Sequence, residues 1–163
     1  MDERLLLKYN SARLNLLIAT ALTVLNCLLI VLGINWSFFF SLASPQLLIA
    51  LAPILSQAYM IGAYVLAAVI IAALVLCYVN SKDVSKYKWL IVASIILVLD
   101  SIFSLYLLLT AFDLFGFLVL YCIFDLIILA FILRGVFAGA KLQRIDETMG
   151  AEPYENPDDN KNE

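Results

Sequence analysis

Asp100 and Asp125 are the residues of this chain best placed to do chemistry, because each interrupts an otherwise uncharged apolar run. A carboxyl group in hydrocarbon is costly, and it ordinarily faces a polar partner, a water-filled cavity or an ion path. Helical spacing puts polar companions on shared faces: Ser104 is four residues after Asp100, Tyr121 four before Asp125, and Thr23 three before Asn26. At 1.5 Å per residue, Asp100 lies about 16 Å from Trp89, Asp125 about 15 Å from Phe115 and Asn26 about 18 Å from Leu14. Asn26, Asp100, Asp125, Tyr121 and Ser104 therefore form a candidate polar site at the depth of a bilayer midplane.

The chain has no His, and no Lys or Arg falls at that depth. A buried carboxyl without a cation favours its neutral form, and two neighbouring carboxyls reinforce the preference. At least one acid is expected to be protonated at neutral pH. Three roles stay open. The acids can be neutral struts whose hydrogen bonds to Asn26, Tyr121, Ser101 or Ser104 tie helices together, at roughly 0.6–2 kcal/mol per contact. They can carry a proton, a cation or a polar ligand, or pair with a basic residue in another subunit's membrane helix. If they are struts, Asn in place of either acid should be tolerated, since it keeps size and hydrogen-bonding capacity.

Paired intramembrane aspartates can also share a proton and activate water. The settings Leu99-Asp100-Ser101 and Phe124-Asp125-Leu126 lack the Tyr-Asp and Gly-x-Gly-Asp surroundings of intramembrane aspartyl proteases. With no His available as a base, the chain is not expected to be an enzyme, and no catalytic residue is assigned. Cys27, Cys77 and Cys122 fall one to a run, without metal-ligand spacing, and should behave as small hydrophobes. No metal, cofactor or disulfide framework is expected.

The elements that must position these residues follow from composition. Hydrophobic residues make up 64% of the 163 residues, and the mean hydropathy is +1.01. This is the composition of an integral membrane protein, which excludes a water-exposed catalytic domain and a nucleic-acid partner and makes the lipid bilayer the first partner. No charge occurs between Leu14 and Ser81, room for two crossings at roughly 20 residues each. The expected fold is all-α and polytopic: four transmembrane helices at about 14–33, 57–79, 89–109 and 116–137 in an up-down bundle, one membrane domain over 1–144. The first run is too long for a signal peptide's apolar core and precedes no Ala-x-Ala site, so it should be retained.

The short connection around Thr110 to Phe115 makes the last two helices an antiparallel hairpin. The connection from Ile34 to Ser56 is long and apolar. Trp36, Phe38, Phe39 and Phe40 suit the headgroup level, Ser44-Pro45 reads as an N-cap and first helical residue, and Pro53 should bend the chain. A short interfacial helix is expected there. Ala63, Ala67, Ala68 and Ala72, and Gly135-x-x-x-Gly139, allow close helix approach, either within the bundle or across a homodimer. After Arg144 the sequence is acidic, with Asp146, Glu147, Glu152, Glu155, Asp158 and Asp159 and two prolines. Residues 145–163 should form a disordered cytoplasmic tail.

Asn10-Ser11-Ala12-Arg13-Leu14-Asn15-Leu16-Leu17, Thr23 to Asn26, and Trp36-Ser37-Phe38-Phe39-Phe40-Ser41 with Pro45 together resemble an uncharacterised family of small four-helix membrane proteins of Gram-positive, Firmicutes-type bacteria. The resemblance covers residues 10–142 and includes an Asp in each of the last two helices and the ending Leu133-Arg134-Gly135-Val136 with Lys141-Leu142. It implies the four-helix architecture and a bacterial plasma membrane, and it implies no activity. The family's His shortly after the second Asp is missing here, where the sequence reads Asp125-Leu126-Ile127-Ile128. A role requiring an imidazole is therefore not implied.

Basic residues all fall on one side of this threading. Arg4, Lys8 and Arg13 precede the first run, Lys82, Lys86 and Lys88 separate the second from the third, and Arg134, Lys141, Arg144 and Lys161 follow the fourth. The two opposite connections hold only Asp113. The positive-inside rule places both termini in the cytoplasm. Reporters fused after Ser44 and Asp113 should read outside, and those after Asp83 and Glu147 inside; an outside signal at both Asp83 and Glu147 would reverse the orientation.

Overall fold

In hydrocarbon a backbone amide has no partner but another backbone or side-chain group, so uncharged runs of Leu, Ile, Val and Ala close their hydrogen bonds within helices. The computed structural model describes residues 2–34, 36–38, 40–54, 56–110 and 115–150. It contains α1 (Glu3–Val31), a short α2 (Ala43–Leu51), α3 (Gln57–Asn80), α4 (Lys88–Thr110) and α5 (Phe115–Gly150). Among the described residues, α1, α3, α4 and α5 are long and apolar enough to cross a bilayer. The chain is a multi-pass integral membrane protein, an all-α up-down bundle with one short helix in its first connection. The end of the bundle that carries residues 3 and 150 is called the base below.

The two central long helices lie close to the expected bounds, whereas the first and last are longer. α1 begins at Glu3 rather than near 14, and α5 continues to Gly150 rather than ending near 137. These extensions are amphipathic, so their polar residues hide them from a search for uninterrupted apolar runs. Their apolar faces pack together: Leu5, Tyr9 and Ala12 of α1 and Ala138 and Leu142 of α5 are buried. The Asp2 carboxylate caps the start of α1 by accepting from the Arg4 amide at 3.0 Å. Of the expected acidic tail, residues 145–150 are helical, and 151–163 lie outside the described residues, as does the 111–114 turn with Asp113.

Small residues set the α1–α5 spacing. A Cβ at Gly135 would stand 2.1 Å from the Ala12 Cβ, and one at Gly139 would stand 2.7 Å from the Tyr87 Cβ and 3.0 Å from the Tyr9 ring. The glycine pair thus serves close packing inside the bundle. Of the four alanines singled out on α3, Ala63 and Ala67 are buried and Ala68 and Ala72 are exposed. A second lock at the base joins α1 to the end of α3. The Tyr9 hydroxyl donates to the Ser81 carbonyl at 2.7 Å, Arg13 Nε donates to Ser81 Oγ at 3.3 Å, and the Arg13 guanidinium lies 5.1 Å from the Tyr78 ring centre. A cation and a phenol thereby meet carbonyls that the end of a helix leaves unpaired.

At the far end, α1 closes with a Schellman turn: Gly33 takes φ +71°, its amide reaches the Ile30 carbonyl at 3.0 Å, and the Ile34 amide reaches Leu29 at 2.9 Å. The bend expected at Pro53 is present. α2 tightens into a 3-10 turn over Ala52–Ile54, and Ser56 is extended before α3 begins.

The α1–α5 seam gives a test. Gly135→Ala should lower the melting temperature in detergent by an amount equivalent to about 1–3 kcal/mol of overpacking. Gly62→Ala, where nothing lies within 4 Å of the added carbon, should leave it unchanged or higher. Equal melting of the two variants would rule out a tight seam.

Candidate midplane polar site

Helix α4 carries Asp100 twelve residues beyond Lys88, about 18 Å along its axis. The carboxylate accepts from the backbone amides of Ala43, at 3.0 Å, and Ser44, at 2.8 Å. These are the first two amides of α2, which have no acceptor within their own helix. The N-cap residue Leu42 has no side chain able to serve them. Asp100 therefore caps α2 from another helix. The positive end of the helix dipole supplies the counter-charge that no cation offers at this depth. Ser44, read from the sequence as the N-cap, lies instead inside the first turn, since α2 starts at Ala43. Pro45 is its third residue, where a missing N–H sacrifices no helical bond.

The depth at which α2 begins is set by α1. The Leu42 amide donates to Thr23 Oγ1 at 2.9 Å, and Thr23 stands eight residues before Val31, about 12 Å back from the end of α1. Above it, Asn26 Nδ2 donates to the Phe38 carbonyl and to Ser41 Oγ, each at 2.8 Å, while the Phe38 amide donates to Asn26 Oδ1 at 2.8 Å. The chain therefore turns at Gly33, runs back down along α1, and starts α2 in the interior of the bundle. The short helix expected in this connection is present, and its first turn reaches inward to the level of both acids. α2 packs against α1, α3 and α4.

Gln46 and Tyr121 extend the network to α5. Gln46 Nε2 donates to Ser41 Oγ at 2.8 Å and to the Leu42 carbonyl, and the Tyr121 hydroxyl donates to Gln46 Oε1 at 3.0 Å. Ser37 Oγ and the Tyr121 hydroxyl are also hydrogen-bonded. Ser104 Oγ donates to Asp125 Oδ2 at 3.0 Å and joins α4 to α5. Asp125 Oδ1 and Ser101 Oγ are buried without a hydrogen-bond partner. Among the described residues no three His, Cys, Asp or Glu side chains converge on one point.

All five residues proposed from the sequence are buried: Asn26, Ser104 and Asp125 fully, Asp100 and Tyr121 nearly so. Their partners differ from those that spacing suggested. Asn26 binds the returning loop rather than an acid, and Ser104, one turn from Asp100, serves Asp125. Ser37, Ser41, Gln46 and the amides of residues 42–44 were not foreseen. The signal for Gln46 was present: an amide side chain in an uncharged stretch between Pro45 and Leu47 needs a partner if it is buried. The backbone amides gave no signal, since no residue type marks them.

Family models, curated protein sequences and solved structures give no match to this chain. The site is read from its geometry alone.

The two acids should respond differently to amide substitution. Asp100→Asn replaces one of two acceptors with a donor that faces a backbone N–H, so it should destabilise by about 1–3 kcal/mol, as should Asp100→Ala. Asp125→Asn keeps an oxygen for Ser104 and alters only the unpartnered position, and its melting temperature in detergent should stay near wild type. Equal losses in the two Asn variants would contradict the capping geometry.

Proposed function

We propose that this chain is a non-enzymatic protein of the bacterial plasma membrane, an assembly component whose midplane acids bind its own helices together and hold a re-entrant helix in place. The observation that carries this reading is the Asp100 carboxylate seated on the first two amides of α2. A carboxylate used in this way is occupied, and Asn26, Thr23, Ser41 and Gln46 are similarly committed to loop and helix backbone or to one another. What the arrangement delivers is a fixed shape. α2 and the start of α3 present Leu51, Ile54, Tyr59 and Ile61 outward at the far end, an apolar surface suited to another membrane helix.

A second reading, a small proton- or cation-linked transporter, is favoured by one observation: the unpartnered Asp125 Oδ1 beside a helix that also buries an unpartnered Ser101 hydroxyl. Acids of this kind mark ion pathways in other membrane proteins. Four helices are few for alternating access, which commonly uses repeated halves, so transport would call for a homodimer.

One pair of measurements separates the readings. Full-length wild type isolated from native membranes should retain a stoichiometric membrane-protein partner that Asp100→Ala loses, and proteoliposomes containing wild type or Asp125→Asn should dissipate a proton gradient at the same rate. A flux present in wild type and absent in Asp125→Asn, with no partner retained, would overturn the assembly reading in favour of transport.

A further inference from the structure

At the base, the α1–α5 seam opens toward the surrounding lipid as a groove of about 450 Å³. Its walls combine apolar side chains, Leu5, Leu133 and Phe137, with three cations, Lys8, Arg134 and Lys141. A second groove of about 200 Å³, walled by Leu7 and Phe131, shares Lys8 and Arg134 with the first. Two apolar furrows therefore flank one basic ridge. Among the described residues no carboxylate pairs with these cations, and all three are exposed.

The sequence explains why the ridge forms here. Arg134 and Lys141 are seven residues apart, two helical turns, and so share a face of α5. Gly135 and Gly139, roughly a third of a turn around α5 from that exposed face, draw α1 close, and Lys8 of α1 comes to line the same groove as Arg134 and Lys141. Lys8 and Lys141 lie in the amphipathic extensions, and Arg134 stands nine residues beyond Asp125, about 14 Å along the axis. From the midplane that distance reaches the boundary between hydrocarbon and headgroups.

The geometry points to a binding site for an acidic phospholipid of the leaflet at the base: its phosphate lies on the ridge of Lys8 and Arg134, Lys141 meets the outer headgroup, and an acyl chain lies in each furrow. Charge complementarity selects the occupant. Three uncompensated cations at headgroup depth call for an anion, and the furrows call for an amphiphile rather than a free ion. Basic clefts between membrane helices bind anionic headgroups on this principle.

The test uses the full-length protein in nanodiscs of equal parts phosphatidylcholine and phosphatidylglycerol, extracted into mild detergent, with co-purifying lipid read by native mass spectrometry. Wild type should retain phosphatidylglycerol in preference to phosphatidylcholine. Each cation near the surface contributes about a fivefold preference, so Lys8→Gln with Arg134→Gln should bring the ratio down toward that of the bilayer. Lys82→Gln with Lys86→Gln, at the same end but outside the groove, should keep it. Both pairs are exposed, and unchanged melting temperatures would confirm that folding is intact. Equal loss in the two double variants, or no loss in the first, would overturn the site. Competition by millimolar inorganic phosphate would replace the lipid with a free anion and overturn it as well. If lipid binds only after residues 151–163 are removed, the acidic tail is the occupant and the proposal fails.

Discussion

The structure turns on a carboxylate that caps a helix in a layer without water. The first amides of α2 begin inside the bundle, and a buried amide left unpaired costs about 1–3 kcal/mol. The N-cap position, Leu42, has no polar side chain, so the acceptors come from Asp100 on α4. The arrangement is reciprocal. Without α2 the two Asp100 oxygens would have no donors, and without Asp100 the helix would start with two orphaned donors. Irregular backbone at membrane depth is tolerated only where protein covers it. The returning segment meets that condition at three described residues, with Phe38 held by Asn26, Leu42 by Thr23 and Gln46, and Ser41 by both amide side chains.

The two acids are chemically distinct despite their shared depth. Asp100 uses both oxygens on backbone donors and sits at the positive end of a helix. Asp125 receives one hydroxyl and leaves its other oxygen empty in a fully buried position. An isolated charge there would lack the compensation that buried charges require. The pair is better described as one carboxyl seated on backbone amides and one carboxyl bonded through a single oxygen than as a dyad. This difference also separates the two functional readings, since of the two acids Asp125 is the one with an oxygen that meets no donor.

Much of the fold was legible because hydrocarbon permits few alternatives. Uncharged runs gave the long helices, Pro53 gave the bend, and the depth of Asn26, Asp100 and Asp125 followed from helical rise. The site was legible as a set of buried residues and illegible as a set of bonds. Spacing along one helix says which residues share a face, but Ser104 bonds to Asp125 on a different helix, and Asn26 bonds to a loop whose path no local pattern encodes. The re-entry of residues 34–42 was hidden for the same reason. Phe38 and Trp36 look interfacial from composition, and only the partners of the Phe38 backbone reveal that the segment descends. The extensions of α1 and α5 carry no continuous apolar run, since Leu5, Tyr9, Ala138 and Leu142 form a buried stripe on helix segments that are otherwise largely polar.

The bundle divides into two halves with different packing. Toward the base, α1 and α5 meet through glycine and alanine with almost no space between their backbones, and the buried residues are mostly apolar, with the Tyr9 and Ser81 lock and a Ser94 hydroxyl turned back onto its own helix as polar exceptions. Toward the far end, α2 is wedged among α1, α3 and α4, and Thr, Asn, Ser, Gln, Tyr and Asp are buried alongside apolar residues such as Leu42 and Ala52. A close-packed seam moves only at the cost of steric overlap, while a wedge held by hydrogen bonds moves only at the cost of leaving buried donors and acceptors unpaired. The α1–α5 seam is thus the frame, and the Asp100 cap is the bond that seats α2 against it.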